Sequence, residues 1–176
     1  GYDDPQKAEI ENAAKETAVF FTYNMSMGIN LLATLAKKAT AVLGKEFDIE
    51  IVEKHHNQKI DAPSGTALML ADAICEEIDD NLKYEYDRHS KREKRSKNEI
   101  GIHSVRGGTI VGEHEIIFAG RDEIITLSHS ARSKEIFAVG AVNAAVFMSG
   151  KDSGMYSMKD LIAVSYTHLR AHETCA

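Results

Sequence analysis

"FDIEIVEKHHNQKIDAPSGTALML" runs from Phe47 to Leu70 and joins three textures. Phe47, Ile49 and Ile51 alternate with Asp48 and Glu50, the period of two that a half-buried strand requires. From Ser64 onward "SGTALMLADAICEEI" reads as a helix, with Ser64 or Thr66 available to cap it. Between strand and helix, His55, His56, Lys59, Asp61, Pro63 and Gly65 crowd one loop.

That loop has a chemistry of its own. Histidine exchanges protons near neutral pH and lysine carries a donor charge, so His55, His56 and Lys59 together can hold carboxylates and deliver a proton. Mutual repulsion among these cations is expected to ease the donation. Pro63 stiffens the turn and Gly65 lets a ligand approach the backbone. The open N–H groups and dipole of the helix start favour an anion. Taken singly, each part fits an ordinary surface loop or a well-capped helix. Their conjunction points to a small dicarboxylate.

Outward from this stretch the elements alternate. Asp4-Pro5 with "QKAEIENAAKE" suits a capped helix, and "AVFFTYN" (Ala18–Asn24) a short buried strand. In "INLLATLAKKATAVLG" the positions Ile29, Leu32, Leu35, Ala36, Ala39, Val42 and Leu43 recur at helical spacing, with Gly44 as the stop. Lys83–Asn98 is polar and basic; it reads as a solvated excursion, the alternative being a surface for phosphate or carboxylate. "EIGIHSVRG", "TIVGEHEIIFAG" and "EIITLSHSA" are strands, with Gly107-Gly108 as a turn. "SKEIFAVGAVNAAVFMSG" closes as a helix whose apolar face carries Ile136, Phe137, Val139, Val142 and Val146. The sum is a mixed α+β domain of about four long strands and two or three helices, with a front strand and helix that belong elsewhere.

Composition narrows the function. The 176 residues are 43% apolar and 27% charged, enough for a sizeable core. A net charge of −6 lacks the basic footprint of a nucleic-acid binder. Cys75 and Cys175 stand far apart without metal-ligand spacing, and no apolar run is long enough for a membrane span, so a cytoplasmic location is expected. Adjacent His55 and His56 would point to opposite faces of a strand, and no HxxxH or HExxH spacing supplies a second ligand, so no metal is expected. Ser64 lacks a nucleophile elbow. His103, His114 and His129 each fall in a strand, where a hydrogen-bonded core or surface histidine is the expectation.

"EKHHNQKIDAPSGTA" (Glu53–Ala67) resembles the signature of the 4-hydroxy-tetrahydrodipicolinate reductases, long called dihydrodipicolinate reductases. "FTYNMSMGINLL", "EIGIHSVRGGTIVGEHEIIFAG" and "AVGAVNAAVFMSGKDSGMYSMKDLI" are similar to further segments of that family, so the resemblance spans about Gly1 to Ile162. It implies His55 as catalytic proton donor and acceptor, Lys59 as catalytic proton donor, and His56, Gly65 and Thr66 as substrate-binding. It implies that Thr22, Tyr23, Asn24 and Met25 contact the nicotinamide of NADH or NADPH. The implied fold is an open mixed sheet with helices on one face, a substrate and oligomerisation domain over 26–163, with 1–25 as remnant strand and helix of a Rossmann-type cofactor domain. Lysine and diaminopimelate synthesis and a homotetramer are implied as well.

Departures from the family pattern carry expectations too. Gly1 matches the last glycine of a Gly-Thr-Thr-Gly cofactor motif, and no complete dinucleotide fingerprint occurs in the 176 residues. Lys134 stands near where the family has arginine, which is expected to weaken a bidentate carboxylate contact. Val164–Ala176, "VSYTHLRAHETCA", resembles translated adaptor read-through and is expected to be foreign to the fold. The chain is therefore expected to represent part of an enzyme, and by itself to bind dicarboxylate and oligomerise without turnover.

Overall fold

A computed structural model describes residues 2–78 and 82–164. In chain order it contains α1 (Asp4–Ala13), β1 (Ala18–Phe20), α2 (Met27–Leu43), β2 (Asp48–His55), α3 (Gly65–Cys75), β3 (Lys83–Glu85), β4 (Glu99–Arg106), β5 (Gly112–Ala119), β6 (Ile124–Ala131), α4 (Glu135–Met148) and β7 (Gly154–Tyr156). Residues 158–164 are again helical. The chain divides into two compact units: one comprises the segment through Asn30 and the segment from Glu135 onward, the other Leu31–Lys134.

The Leu31–Lys134 unit is built on a five-stranded sheet in the order β3-β4-β2-β5-β6. β3, β4 and β2 run parallel, while β5 and β6 are antiparallel additions, so the sheet is mixed as expected. Four strands have eight residues each, and the three-residue β3 is the addition. Register makes the core legible. Ile51 pairs with Ile102 and Ile116, and Ile49 with Ile100 and Phe118, giving apolar rows across one face. α3 lies along β2 and buries Ala67, Leu70, Ala71, Ala73 and Ile74. Each large aliphatic side chain so buried contributes roughly 1.5–3 kcal/mol.

The other face of this sheet is held by charge. Arg95, from the basic excursion, reaches back to Asp48 and Glu50 at 3.0 and 2.8 Å and to the carbonyls of Ile49 and Glu99. Arg88 pairs with Glu99 and Lys91 with Glu85. Lys83–Asn98 is thus not simply solvated: it opens with β3 and is pinned to the sheet through Arg95.

The other unit pairs β1 in parallel with β7, and α4 lies against β1. Ala144, Met158 and Leu161 form its core, with Phe20 and Phe147 packed against them. Several sequence expectations change here. The cap of α1 is Asp3, in a reciprocal box with Gln6, rather than Asp4. β1 covers only three residues and is half-buried, because the chain turns at Thr22 into a hydrogen-bonded corner. In α4 the expected apolar face holds only in part: Ile136 and Phe137 are half-buried, but Val139, Val142 and Val146 are 59%, 61% and 71% exposed. The helix buries Gly140 and Ala144 instead, since small residues permit a closer approach than valine does.

α2 buries Ile29, Leu32, Ala36 and Thr40, while Leu35 and Val42 face outward, so its buried stripe is narrower than the apolar pattern. It ends where Gly44 takes a φ of +56°. Among the described residues no helix is long and apolar enough to cross a membrane. The Val164–Ala176 tail lies, from 165 onward, outside the described residues.

Candidate functional site

The alternation of β2 continues past its apolar part. Ile49, Ile51, Glu53 and His55 all turn to the buried face, and the last two carry the chemistry. Across the sheet Glu53 stands in a row with Ser104 on β4, His114 on β5 and His129 on β6; His55 and Arg106 begin the next row. The core face therefore changes from isoleucine to charge at the end where α3 begins.

Glu53 is fully buried and satisfied on both oxygens. Arg106 donates to Oε2 from Nη1 at 2.8 Å and to Oε1 from Nη2 at 2.7 Å. The Ser64 amide donates to Oε1 at 3.1 Å, and His55 Nδ1 lies 2.6 Å from Oε2. Burial alone would raise the carboxyl, but hydrogen bonds from Arg106, His55 and Ser104 outweigh it and hold Glu53 at about 2. One carboxylate thus ties His55 to the first turn of the next helix.

Ser64 settles the cap left open between itself and Thr66: its Oγ accepts from Ala67 N at 3.2 Å. The same oxygen contacts His114 Nε2 at 3.2 Å, and the rings of His114 and His55 meet edge-on with centroids 5.2 Å apart. Burial, then the nearby charge of His55, pushes His114 down to about 4, so it is neutral at physiological pH. The charges of His129 and Lys59 add to this repulsion on His114. Lys59 Nζ lies 2.8 Å from Asp61 Oδ1, and this ion pair, acting mainly through its hydrogen bond, holds Asp61 below its usual range.

The loop between strand and helix is fastened at several points. Arg106 Nη2 donates to the Asp61 carbonyl at 2.6 Å. Gly107 N donates to His55 O, and Asn57 N to Gly108 O, so the Gly107-Gly108 turn backs the loop. His56 is half-buried, and Gly65 begins α3 with open space where a side chain would stand. Among the described residues no group of three or more His, Cys, Asp or Glu is placed to hold a metal.

Thr22, Tyr23, Asn24 and Met25 lie in the other compact unit. Thr22 Oγ1 donates to Asn24 O at 3.1 Å, Asn24 Oδ1 accepts from Ser26 N at 2.8 Å, and the Met25 carbonyl packs against Gly140. Tyr23 is 73% exposed, and its ring meets Phe21 edge-on. An exposed ring beside a fixed corner suits contact with a planar group. The polar side chains of Thr22 and Asn24, by contrast, serve the corner itself.

Sequence reading missed Glu53 and Arg106 as site residues, while His114 is the hydrogen-bonded core histidine expected of its strand, now found beside His55. Extending the two-residue period of β2 by two steps places Glu53 and His55 on the isoleucine face, where a carboxylate demands a partner. Arg106 and His114 had no such local signal, since strand pairing alone brings them to Glu53.

A mixed-sheet α+β domain with an acid–base cluster beside a helix start is the class that this geometry defines. Residues 28–162 match the family model described as "Dihydrodipicolinate reductase, C-terminus", and the chain belongs to that family. It is 56% identical over 162 residues to the 4-hydroxy-tetrahydrodipicolinate reductase of Caldanaerobacter subterraneus subsp. tengcongensis, covering 92% of this chain and 64% of the relative. To the enzyme of the same name from Clostridium tetani it is 53% identical, covering 90% and 62%. The solved structure of dipicolinate-bound dihydrodipicolinate reductase from Paenisporosarcina sp. TG-14 superposes with a TM-score of 0.66 at 27% identity, covering 89% of this chain and 60% of that one. The chain thus spans less than two thirds of the length of these relatives.

Proposed function

We propose that this chain supplies the substrate half of an NAD(P)H-dependent 4-hydroxy-tetrahydrodipicolinate reductase, forming tetrahydrodipicolinate for lysine and diaminopimelate synthesis. The observation that carries the reading is the Glu53 carboxylate, which binds His55 on one side and the first turn of α3 on the other. It joins a proton-exchanging imidazole to an anion-favouring helix start. His55 handles a proton at the reacting ring, and Lys59 supplies one. His56 and the start of α3 at Gly65 and Thr66 hold the two carboxylates. A relative with dipicolinate bound supports a ring dicarboxylate as ligand.

A reduced nicotinamide, NADH or NADPH, supplies hydride when bound. Thr22, Tyr23, Asn24 and Met25 form its contact edge, with the exposed Tyr23 ring as the residue best placed to pack on it. The units divide the work: the unit of β1, β7 and α4 belongs with the cofactor, the sheet unit with the substrate. A cytoplasmic homotetramer is the assembly proposed.

A second reading concerns these 176 residues alone. No dinucleotide fingerprint occurs in them, so the isolated chain is a dicarboxylate-binding, oligomerising module with negligible turnover. Calorimetric titration with dipicolinate tests the site: binding by the wild type, weakened by Lys59→Ala and by Thr66→Val, is expected. Absence of binding would overturn the substrate assignment. NAD(P)H oxidation at the rate of a whole enzyme would overturn the second reading.

A further inference from the structure

We infer that Glu53, clamped by Arg106, is a positioning residue that keeps the Nδ1 proton on His55 and leaves Nε2 as the atom that exchanges a proton with substrate. The inference deepens the proposed function, resting on His55 as its proton-handling residue.

The contacts on Glu53 decide the tautomer. An ionised carboxylate only accepts, and the hydrogen bonds on this one keep it ionised at neutral pH. Its oxygens already accept from Arg106 twice, from the Ser64 amide and from Ser104. The remaining contact, 2.6 Å from Oε2 to His55 Nδ1, is therefore an N–H donor as well. A ring turned over would set a carbon against the carboxylate and forfeit that bond. His114, edge-on to the same ring, leaves little room for such a turn.

The opposite nitrogen is left clear by a glycine. A Cβ built on Gly112 would sit 3.2 Å from His55 Nε2, tighter than ordinary packing, so only glycine leaves that flank free. With Nδ1 committed, the proton balance is simple. Protonated His55 releases its Nε2 proton to the substrate and becomes neutral imidazole with Nδ1–H retained. The carboxylate gains no proton in the step. Its role is that of the outer partner which orients an imidazole through one nitrogen so that the other can act.

Glu53→Gln changes this in a definite direction. The amide has one acceptor oxygen, and one Arg106 nitrogen faces each side of the group; the Oε1 side also faces the Ser64 amide, which can only donate, whereas the imidazole on the Oε2 side can change tautomer. The oxygen goes to the Oε1 side, the NH2 turns to His55, and the imidazole must accept on Nδ1 and carry its proton on Nε2.

Long-range 1H–15N spectra of the full chain, with His55 assigned by loss of its signals in His55→Gln, read the tautomer directly. The wild type at alkaline pH is expected to show a protonated Nδ1 and a lone-pair Nε2; Glu53→Gln is expected to exchange them. A wild-type Nε2–H tautomer, or a folded Glu53→Gln chain with the wild-type pattern, would overturn the inference. Should Glu53→Gln not fold, Gly112→Ala serves: its added methyl is expected to shift the Nε2 resonance and spare Nδ1, and the reverse would overturn the assignment. Dipicolinate separates the two claims. A response at Nε2 supports both, whereas the expected tautomer with no response overturns the proposed function and leaves the positioning role standing.

Discussion

Arg106 on β4 sets both terminal guanidinium nitrogens on the Glu53 carboxylate of β2, at 2.7 and 2.8 Å, with the carboxylate fully shut off from water. Removing one member of such a pair leaves a buried charge without compensation, which typically costs about 3–5 kcal/mol. Arg106→Met is therefore expected to lower the unfolding free energy by that order, read as a lower urea midpoint with little change in m. Glu53→Gln made in the Arg106→Met background should cost much less than in the wild type, since there it removes the carboxylate that Arg106→Met leaves stranded. Additive losses in the four-protein cycle would show that the two residues are not coupled.

His114 gives the acid side of the stability curve its sign. Its folded value lies at about 4 against an ordinary 6.5, so between those values the unfolded chain takes up a proton that the native chain refuses. Stability accordingly falls as pH drops through that window and levels off near its lower end, by at most about 3 kcal/mol. His129, also pushed down by burial, acts in the same direction. Glu53 behaves differently: its depressed value stabilises the fold above the unfolded carboxylate range, and that part is lost only as pH falls towards about 2. Urea melts at closely spaced pH values should show the first decline, and His114→Gln should flatten most of it. An unchanged slope in His114→Gln would remove His114 as its source.

How much of this was legible beforehand differs by element. β2, β5 and α3 could be read because each carries a period that burial enforces, and Ser64 and Gly65 could be read because a helix start needs a cap and an open amide. α4 was legible as a helix but not in its packing face. Its valines dominate any hydrophobic pattern, yet the face that packs is the one with Gly140 and Ala144, and closeness of approach leaves no mark on apolar periodicity. The loop from His55 to Thr66 named itself as a site, but its organising charge did not. Glu53 is one acidic residue among many until β4 and β5 bring Arg106 and His114 to it. Cross-strand register, which sequence spacing alone does not fix, is what separated the visible part of the site from the hidden part.

Ser64 connects the helix start to the histidine row through a single hydroxyl. It caps Ala67 N and contacts His114 Nε2, with almost no exposure to water. Ser64→Ala removes both contacts and is expected to cost about 1–2 kcal/mol, the usual range for a lost cap with a buried partner left behind. Amide exchange localises the effect: the Ala67 N–H should exchange faster relative to amides late in α3. Uniform loss of protection along the helix, with no excess at Ala67, would count against the cap.

Gly140 is where Met25 and α4 come closest. A Cβ at this position would lie 1.8 Å from the Met25 carbonyl oxygen, a backbone atom that cannot rotate away. In an exposed helix, alanine in place of glycine stabilises by up to about 1 kcal/mol. Here the clash reverses the sign, since overpacking of this kind costs roughly 1–3 kcal/mol. Gly140→Ala is thus expected to be destabilising by a net amount on the order of 1–2 kcal/mol in urea melts, after the propensity gain is deducted. Val142→Ala, two residues on at an exposed position, should stay within about 0.5 kcal/mol of the wild type. The pair of variants isolates close approach from helix propensity: if Gly140→Ala proved more stable than the wild type, Met25 would have to lie farther from α4 than the structure holds it.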